Sequence, residues 1–417
     1  MAKDKEEKSM GKEILEWVRD IGIACLIALI ILSLFKPIII QQHSMEPNFY
    51  QGDYVITFKQ AYRFGGEPTK GDIIVRNVSA VNGNDTEAAS LAIAECDLMA
   101  TAVGARILKF IIPNIVAGLR KRWAAGKGPL NIIICENLND ANKVVEGMIK
   151  EQLTDEEKAL FDESVGLVEA SIGRMVPVQT DEMKDGEPLR VCVERYGFLP
   201  VDKAAFKGEI PDIRDMVPFE PFDFFVKRKL FIHNMGHATT AYLGGLAGCT
   251  YISEAIDNPE IRIVAQNAML ESALALSRHY GVALADLQLH ISDLLGRFAN
   301  ASLKDTCERV GGDPARKLGP TDRLIGASLM AVSEGIAPEY ISLGSAAALK
   351  RFLDESGKAQ GEEEALKVLE EVSCLKEDDA LVPSILGYYR LIIGGASLSD
   401  LRRAADKAKA GSLKNII

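Results

Sequence analysis

The sequence predicts an α/β region built on a parallel sheet, followed by an all-helical region and preceded by a membrane helix and a short β-rich segment. Short apolar strands alternate with helical patterns after about residue 76. Strand signals stop after about Pro221, and a long uncharged run, Ile21–Phe35, lies near the N-terminus. We therefore expect four regions, at residues 1–40, 41–75, 76–220 and 221–417.

The uncharged run Ile21–Phe35 is the candidate membrane anchor. It is shorter than the roughly 20 residues that a helix needs to cross hydrocarbon, but Lys36 can snorkel and more isoleucines follow Pro37. A cleaved signal peptide and a buried core helix are the alternatives, although no A-x-A-like cleavage site follows. Lysines and one arginine precede the run, which predicts a single span with a cytoplasmic N-terminus and the remaining chain outside.

The α/β and helical regions are predicted from periodicity and from residues typical of helix ends. Between residues 41 and 75, Gly-Asp and Gly-Gly pairs separate short β-rich runs such as Tyr54–Thr57. The predicted parallel strands are Leu98–Val103 and Leu130–Cys135, and the predicted helices between and after them are Ile107–Trp123 and Ala141–Lys150. The later helices are predicted at Pro259–Tyr280, Ala283–Phe298, Glu362–Val372 and Leu398–Ala410.

Composition excludes several classes of protein. The net charge of −11 and the lack of a dense basic cluster argue against nucleic-acid binding. The seven cysteines form no C-x-x-C pair, so a disulfide framework and a zinc ribbon are not expected. Free thiols of this kind suit a reducing compartment.

Residues 10–75 carry an ordered set of motifs: Ser44-Met45-Glu46-Pro47, then Gly52-Asp53-Tyr54-Val55, then Lys70-Gly71-Asp72. In this order, after an apolar run, they resemble the start of the bacterial type I signal peptidases, and the resemblance implies that Ser44 is a nucleophile. That chemistry needs a lysine base, which the family places on a following strand. Neither that lysine nor its Gly-x-Pro-Gly-Asp turn appears here, and Lys59 and Lys70 are expected to be surface charges. We therefore expect no proteolysis from this fragment.

The nonapeptide Lys229–His237 reads K-x4-N-x2-H and is predicted to be helical. At 100° per residue, Lys229, His237 and Asn234 fall at about 0°, 80° and 140°, which is one face of a helix. His233 and His237 also stand at i and i+4, but Asn234 occupies the position where zinc proteases have Glu. No third metal ligand is evident, so we predict no metal; a purely structural role for these residues is the other alternative.

From Asn77 onward the chain resembles the mannitol-1-phosphate 5-dehydrogenases of the long-chain polyol dehydrogenase family. The matching stretches include Thr101–Gly104, Cys135-Glu136-Asn137, Gly173–Pro177, the lysine motif continued by Ala241–Gly244, and Gly296-Arg297-Phe298. The resemblance implies a Rossmann-like sheet, metal-free hydride transfer between mannitol 1-phosphate and NAD, and a small sugar or polyol phosphate as the partner. We also expect a monomer.

The resemblance also implies the roles of individual residues. Lys229 matches the family's base, Asn234 and Asn137 match the amides that hold the substrate oxygen, and His237 matches the residue that orients it. Thr101, Ala102, Val103 and Gly104 are the expected cofactor contacts. Arg316 and Lys317 are candidate contacts for the substrate phosphate, with a surface salt bridge as the equal alternative.

The family's glycine-rich turn is missing from the sequence. Backbone N–H groups of a G-x-G-x-x-G turn and the following helix normally hold the cofactor diphosphate, and no such motif occurs here. We therefore expect weak cofactor binding. The membrane anchor also conflicts with a dehydrogenase of cytoplasmic type. Both points favour a fusion of two truncated genes near Val75–Asn77, by genomic fusion or assembly error. Three hypotheses remain open: a weakened dehydrogenase, an anchored serine peptidase, and an inert product.

Overall fold

The computed structural model describes residues 35–39, 54–58, 78–136, 138, 140–177, 179–187 and 189–414. The chain divides into two compact units, residues 1–79 with 179–192, and residues 80–178 with 193–417. In the first unit, β1 (Phe35–Ile39) pairs antiparallel with β2 (Tyr54–Phe58), and a short helix covers Asp181–Lys184. The predicted β run at residues 54–57 lies within β2.

The prediction of a membrane anchor has to be corrected. Phe35, its last residue, begins strand β1, and residues 21–34 lie outside the described part of the chain. Within the described residues, no helix combines the length and the low charge that a membrane span requires. The predicted localisation as a single-pass membrane-anchored protein is therefore wrong on this structure.

The second unit begins with a parallel three-stranded sheet in the order β3 (Leu98–Thr101), β4 (Leu130–Ile134), β5 (Val165–Glu169). Its helices are α1 (Thr86–Glu95), α2 (Leu108–Ala124), α3 (Ala141–Lys150) and α4 (Asp155–Ser164). β4 is buried along its whole length, as expected for a central strand covered on both faces. A parallel pair, β6 (Leu199–Asp202) and β7 (Met216–Phe219), follows. The predicted parallel sheet is confirmed.

The predicted strands are longer than the observed ones at their carboxyl ends. Ala102 and Val103 leave the β3 ladder, and Cys135 follows β4. The reason for the first difference is local: the amides of Val103 and Gly104 donate to a side chain from the neighbouring strand end instead of continuing the ladder. A buried apolar cluster that includes Leu108, Ile112 and Ile132 supports this sheet.

The rest of the second unit is helical, as predicted. It contains α5 (Asp223–Arg228), α6 (Met235–Leu246), α7 (Ile252–Asp257), α8 (Pro259–Tyr280), α9 (Leu284–Phe298), α10 (Cys307–Gly311), α11 (Pro314–Lys317), α12 (Ile325–Ser333), α13 (Glu339–Ser356), α14 (Glu362–Glu371), α15 (Leu381–Ile393) and α16 (Leu398–Lys414). Their apolar faces form one large core cluster around α6, α8 and α13. This cluster is the hydrophobic core of the helical region.

The central helix α8 begins and ends where its sequence predicts. The side chain of Asn258 accepts a hydrogen bond from the amide of Glu260 at 3.0 Å, and Pro259 occupies the first turn. Gly281 ends the helix with φ of 68°, a left-handed conformation that glycine adopts without a steric penalty.

Arg297 on α9 ties the helical part to the loop that comes after the sheet. Its guanidinium donates to both carboxylate oxygens of Glu194 at 2.5 and 2.9 Å, and to the carbonyl of Gly173. Glu194 also accepts from the amide of Met175 at 2.5 Å, and the guanidinium lies 4.2 Å from the ring centre of Tyr196. Both charged side chains are at least nine-tenths buried, so this pair fixes the sheet region against the helices.

Candidate functional site

A cavity of about 440 Å³ lies where the carboxyl ends of β4 and β5 face the helical part. Such a position is typical of ligand sites in open α/β sheets. The sheet side contributes Cys135, Glu136, Ala170 and Ile172, and the helical side contributes Lys229, Asn234, His237, Arg309, Val310, Arg316, Lys317 and Arg323. The lining therefore contains five lysine or arginine side chains and one carboxylate.

The lysine motif is not a regular α-helix. Residues Lys229–Asn234 form a π-helical turn, in which the amide of Met235 donates to the carbonyl of Leu230, five residues earlier. Because a π-helical turn takes more residues than an α-helical turn, Asn234 lies closer to directly above Lys229 than the 140° that a regular helix would give. His237 follows in the first turn of α6. The turn thus brings all three side chains to the cavity. The angles expected for a regular helix from Lys229 to His237 are therefore corrected.

Lys229 has the electrostatic setting that a proton-accepting lysine needs. Its side chain is half-buried and forms no ion pair with any described residue. Burial lowers the pKa of Lys229, and the positive charge of Arg323 lowers it further. Removal from water and a neighbouring cation both favour the neutral form that a proton acceptor requires.

The ring of His237 is held from two directions. It stacks on the ring of Phe298 with centroids 4.8 Å apart and planes 12° from parallel. Its Nε2 lies 3.2 Å from Oδ2 of Asp305, a side chain that is only 11% exposed. His233, one turn earlier, is buried behind it with ring centroids 6.1 Å apart. Among the described residues, no group of three or more potential metal ligands occurs.

The end of β3, where cofactor contacts were expected, is occupied by a carboxylate of the chain itself. The amides of Val103 and Gly104 donate to the two oxygens of Glu136 at 3.0 and 2.7 Å. Gly104 has φ of 87°, and a side chain there would meet nothing within 4 Å, so the loop is open to approach. Thr101 Oγ1 is buried and finds no hydrogen-bond partner among the described residues. This loop fits a neutral part of a dinucleotide better than its diphosphate.

The two candidate phosphate contacts differ. Arg316 is half-exposed and pairs with Asp313 at 2.7 Å and Asp322 at 3.0 Å. Lys317 is 4% exposed and forms no ion pair within the described chain, and burial with the charges of Arg323 and Arg316 lowers its pKa to about 8. The expected salt-bridge alternative thus describes Arg316, whereas Lys317 is a buried cation at the cavity wall.

The structure brings Lys229, Asn234, His237, Arg316 and Lys317 to one cavity. Thr101, Ala102, Val103 and Gly104 lie at the end of β3, beyond the residues that line the cavity. Asn137 and Ser44 lie outside the described residues. Sequence reasoning assigned no role to Glu136, Asp305 or Arg323. The four-residue spacing of Asp305 and Arg309 signals an ion pair, but no sequence pattern connects Asp305 to His237.

Two family signatures match most of the second unit. The signature of the mannitol dehydrogenase Rossmann domain matches residues 56–215, and that of the mannitol dehydrogenase C-terminal domain matches residues 222–380. The two domains belong to one family and together match more than half of the 417 residues.

The chain belongs to the mannitol dehydrogenase family.

Two solved structures show the same fold. A substrate-free D-sorbitol dehydrogenase is 15% identical, with a TM-score of 0.63, and the match covers 77% of each chain. The mannitol 2-dehydrogenase of Pseudomonas fluorescens, solved with NAD and D-mannitol, is 16% identical, with a TM-score of 0.58 and coverage of 78% of this chain and 77% of that one. The expected Rossmann-like sheet with a helical C-terminal domain is therefore confirmed.

The family match also bears on the other expectations. The expected polyol dehydrogenase class and the expected cofactor, NAD, are confirmed at the level of the family. A signal peptidase (peptidase S26) signature matches residues 14–89, of which residues 14–34, 40–53 and 59–77 lie outside the described part. That match is shorter than the dehydrogenase matches and supports the expected signal peptidase resemblance only weakly, so the peptidase hypothesis is not favoured over the dehydrogenase hypothesis.

Proposed function

We propose that this chain is a polyol-phosphate dehydrogenase that interconverts mannitol 1-phosphate and fructose 6-phosphate with NAD. The observation that carries the proposal is that one cavity holds a half-buried lysine of lowered pKa, Lys229, together with a second, fully buried lysine, Lys317. The first suits proton transfer and the second suits an anion. A neutral polyol would leave the buried charge of Lys317 without an ion pair, because the nearby carboxylates of Asp313 and Asp322 already pair with Arg316.

In the proposed oxidation, Lys229 takes the proton of the substrate hydroxyl. Its lowered pKa increases the neutral fraction at a given pH, which a base requires. Asn234, one π-turn along, offers an amide N–H to the oxygen that develops negative charge. NAD supplies the acceptor for the hydride that leaves the same carbon.

The phosphate is proposed to lie against the short helix α11 and the loop after it. A phosphate monoester carries nearly two negative charges at neutral pH, and lysine and arginine are the side chains that bind it best. Lys317 forms no ion pair with a described carboxylate, although Asp313 and Asp322 are near enough to act on its charge, and Arg316 and Arg323 beside it are partly neutralised by Asp322. Phosphate binding would compensate the buried charge, so substrates with phosphate should be strongly preferred.

The cofactor is proposed to bind weakly. The sequence has no G-x-G-x-x-G turn, and the two amides at the end of β3 are occupied by the Glu136 carboxylate, which also repels a diphosphate. The open loop at Gly104 and the unpaired hydroxyl of Thr101 favour contact with a neutral part of the molecule.

The test is reduction of fructose 6-phosphate by NADH, measured by NADH absorbance with the full chain and saturating NADH. We expect turnover with fructose 6-phosphate and much lower turnover with fructose. A Lys317→Met variant should raise KM for fructose 6-phosphate without a matching effect on fructose. The control is Lys376→Met, which removes an exposed lysine far along the chain.

Two results would contradict the proposal. Equal turnover of fructose and fructose 6-phosphate would leave a polyol dehydrogenase without phosphate preference. No turnover of any ketose, in a folded chain, would leave the inert product as the better hypothesis.

A further inference from the structure

We propose that Asp305 is a positioning residue for this site: its carboxylate fixes the ring of His237 through one oxygen and holds Arg309 at the cavity rim through the other. Oδ2 lies 3.2 Å from His237 Nε2, and Oδ1 accepts from Arg309 Nε at 2.9 Å. His237 and Arg309 both line the cavity. One carboxylate therefore joins two cavity side chains that come from different helices.

The backbone around Asp305 is itself held in place. Its carbonyl accepts from the amide of Ile252 at 2.9 Å, and the amide of Cys307 donates to the carbonyl of Thr250 at 2.9 Å. Tyr251 and Thr306 form an antiparallel bridge between these segments. The isolated bridge and the two backbone hydrogen bonds thus hold the segment that carries the carboxylate, which restricts its position more than a free loop would.

The surroundings of the carboxylate favour its charged form. Burial alone would raise the pKa of Asp305, but hydrogen bonds and positive charge from His237 and Arg309 lower it overall. A charged acceptor beside Nε2 keeps a proton on that nitrogen. In neutral His237, Nδ1 then remains the acceptor, so the ring has one defined tautomer as well as one defined plane against Phe298.

A surface ion pair is the competing explanation, because Arg309 is 67% exposed and stands four residues after Asp305. Exposed pairs of this spacing contribute little to stability. The two explanations differ in the expected effect of removing each partner. If Asp305 acts through His237, Asp305→Ala changes the histidine, whereas Arg309→Gln leaves the histidine as it was.

The inference rests on the proposed function for its kinetic consequence, so the experiment has a second readout that needs no turnover. The chain has five histidines, and nitrogen-15 NMR of histidine-labelled protein shows which ring nitrogen carries the proton. We expect a protonated Nε2 at His237 in the unaltered chain and in Arg309→Gln, and a mixture of tautomers in Asp305→Ala. A His237→Asn variant assigns the signal.

The kinetic readout uses NADH and fructose 6-phosphate. We expect Asp305→Ala to lower kcat by about 10-fold to 100-fold, the loss typical of a misplaced site group. Asp305→Asn, which keeps an oxygen acceptor of the same size, should recover most of that loss. Asp293→Asn is the matched control, because Asp293 pairs with Arg297 four residues away and lies outside the cavity.

The outcomes are distinguishable. Unchanged tautomer and kcat in Asp305→Ala would overturn the inference, and so would equal effects in Asp305→Ala and Arg309→Gln on the His237 signal. If the unaltered chain turns over no ketose, the proposed function fails, and the NMR signal alone decides the role of Asp305. If Asp305→Ala does not fold, Asp305→Leu, which keeps the size of the side chain but offers no acceptor, takes its place, and an unchanged His237 tautomer there overturns the inference.

Discussion

The two walls of the cavity differ in how many of their polar groups are available to bind a ligand. The helical wall presents Lys229, Asn234 and His237 from one continuous segment, supported by the large core around α6, α8 and α13. The sheet wall presents the ends of short strands and the carboxylate of Glu136, which already accepts from the amides of Val103 and Gly104 beyond the cavity lining. The comparison indicates that the side of the cavity proposed for proton transfer is well organised, whereas the side proposed for the cofactor is expected to bind NAD weakly.

The largest expected effect is on the helical wall. Lys229→Met should lower kcat for fructose 6-phosphate reduction by about 10²-fold to 10⁴-fold, the range for losing a general acid or base. Lys227→Met is the control, because Lys227 pairs with Asp223 away from the cavity. A loss of less than tenfold would show that another group transfers the proton. The helical wall would then no longer be the side that carries proton transfer.

The pH dependence of the same enzyme sharpens this assignment. Oxidation requires neutral Lys229, so its rate should rise with pH and level off below the ordinary lysine pKa of 10.5, since burial and Arg323 lower the pKa of Lys229. Reduction requires the charged form, so its rate should fall across the same pH range. An oxidation rate still rising above pH 10.5 would contradict the lowered pKa.

The link between the two walls should carry a large part of the stability. Arg297→Met leaves the buried carboxylate of Glu194 without its partner, so we expect the free energy of unfolding to fall by about 3–5 kcal/mol in urea titrations. Arg351→Met, which removes an exposed pair with Glu355, should cost less than about 1 kcal/mol. Equal effects of the two variants would show that the walls are not coupled through this pair.

Sequence and structure agree best where local signals decide. The bounds of α8 follow from Asn258, Pro259 and Gly281, because capping and backbone conformation are properties of a few neighbouring residues. The π-helical turn at Lys229–Asn234 was not predicted, because its apolar residues fit a regular helix equally well. The burial of Lys317 could not be predicted from the sequence either, because it depends on which segments pack over α11.

A smaller effect is expected at the sheet wall. Glu136→Ala leaves two backbone N–H groups without their acceptor, so the free energy of unfolding should fall by about 1–3 kcal/mol. The same variant removes a negative charge near the expected cofactor path, so NADH should bind more tightly. Glu151→Ala, at an exposed position after α3, is the control. Weaker NADH binding in Glu136→Ala would reverse the proposed role of this carboxylate.

The smallest expected effect is the number of protons taken up when the substrate phosphate binds. With a pKa of about 8, Lys317 is about half charged at pH 8, and a bound phosphate should complete its protonation. Calorimetry of fructose 6-phosphate binding at pH 8, in buffers of different ionisation enthalpy, should therefore show uptake of up to about half a proton per site. Lys317→Met should abolish the uptake, and an unchanged uptake in that variant would place the phosphate elsewhere.

The most direct test of the difference between the walls is titration of the full chain with NADH, monitored by nicotinamide fluorescence. With no glycine-rich turn in the sequence and the β3 amides paired with Glu136, we predict a dissociation constant in the millimolar range. A dissociation constant in the micromolar range would contradict the account, because it would require a complete diphosphate site in this chain.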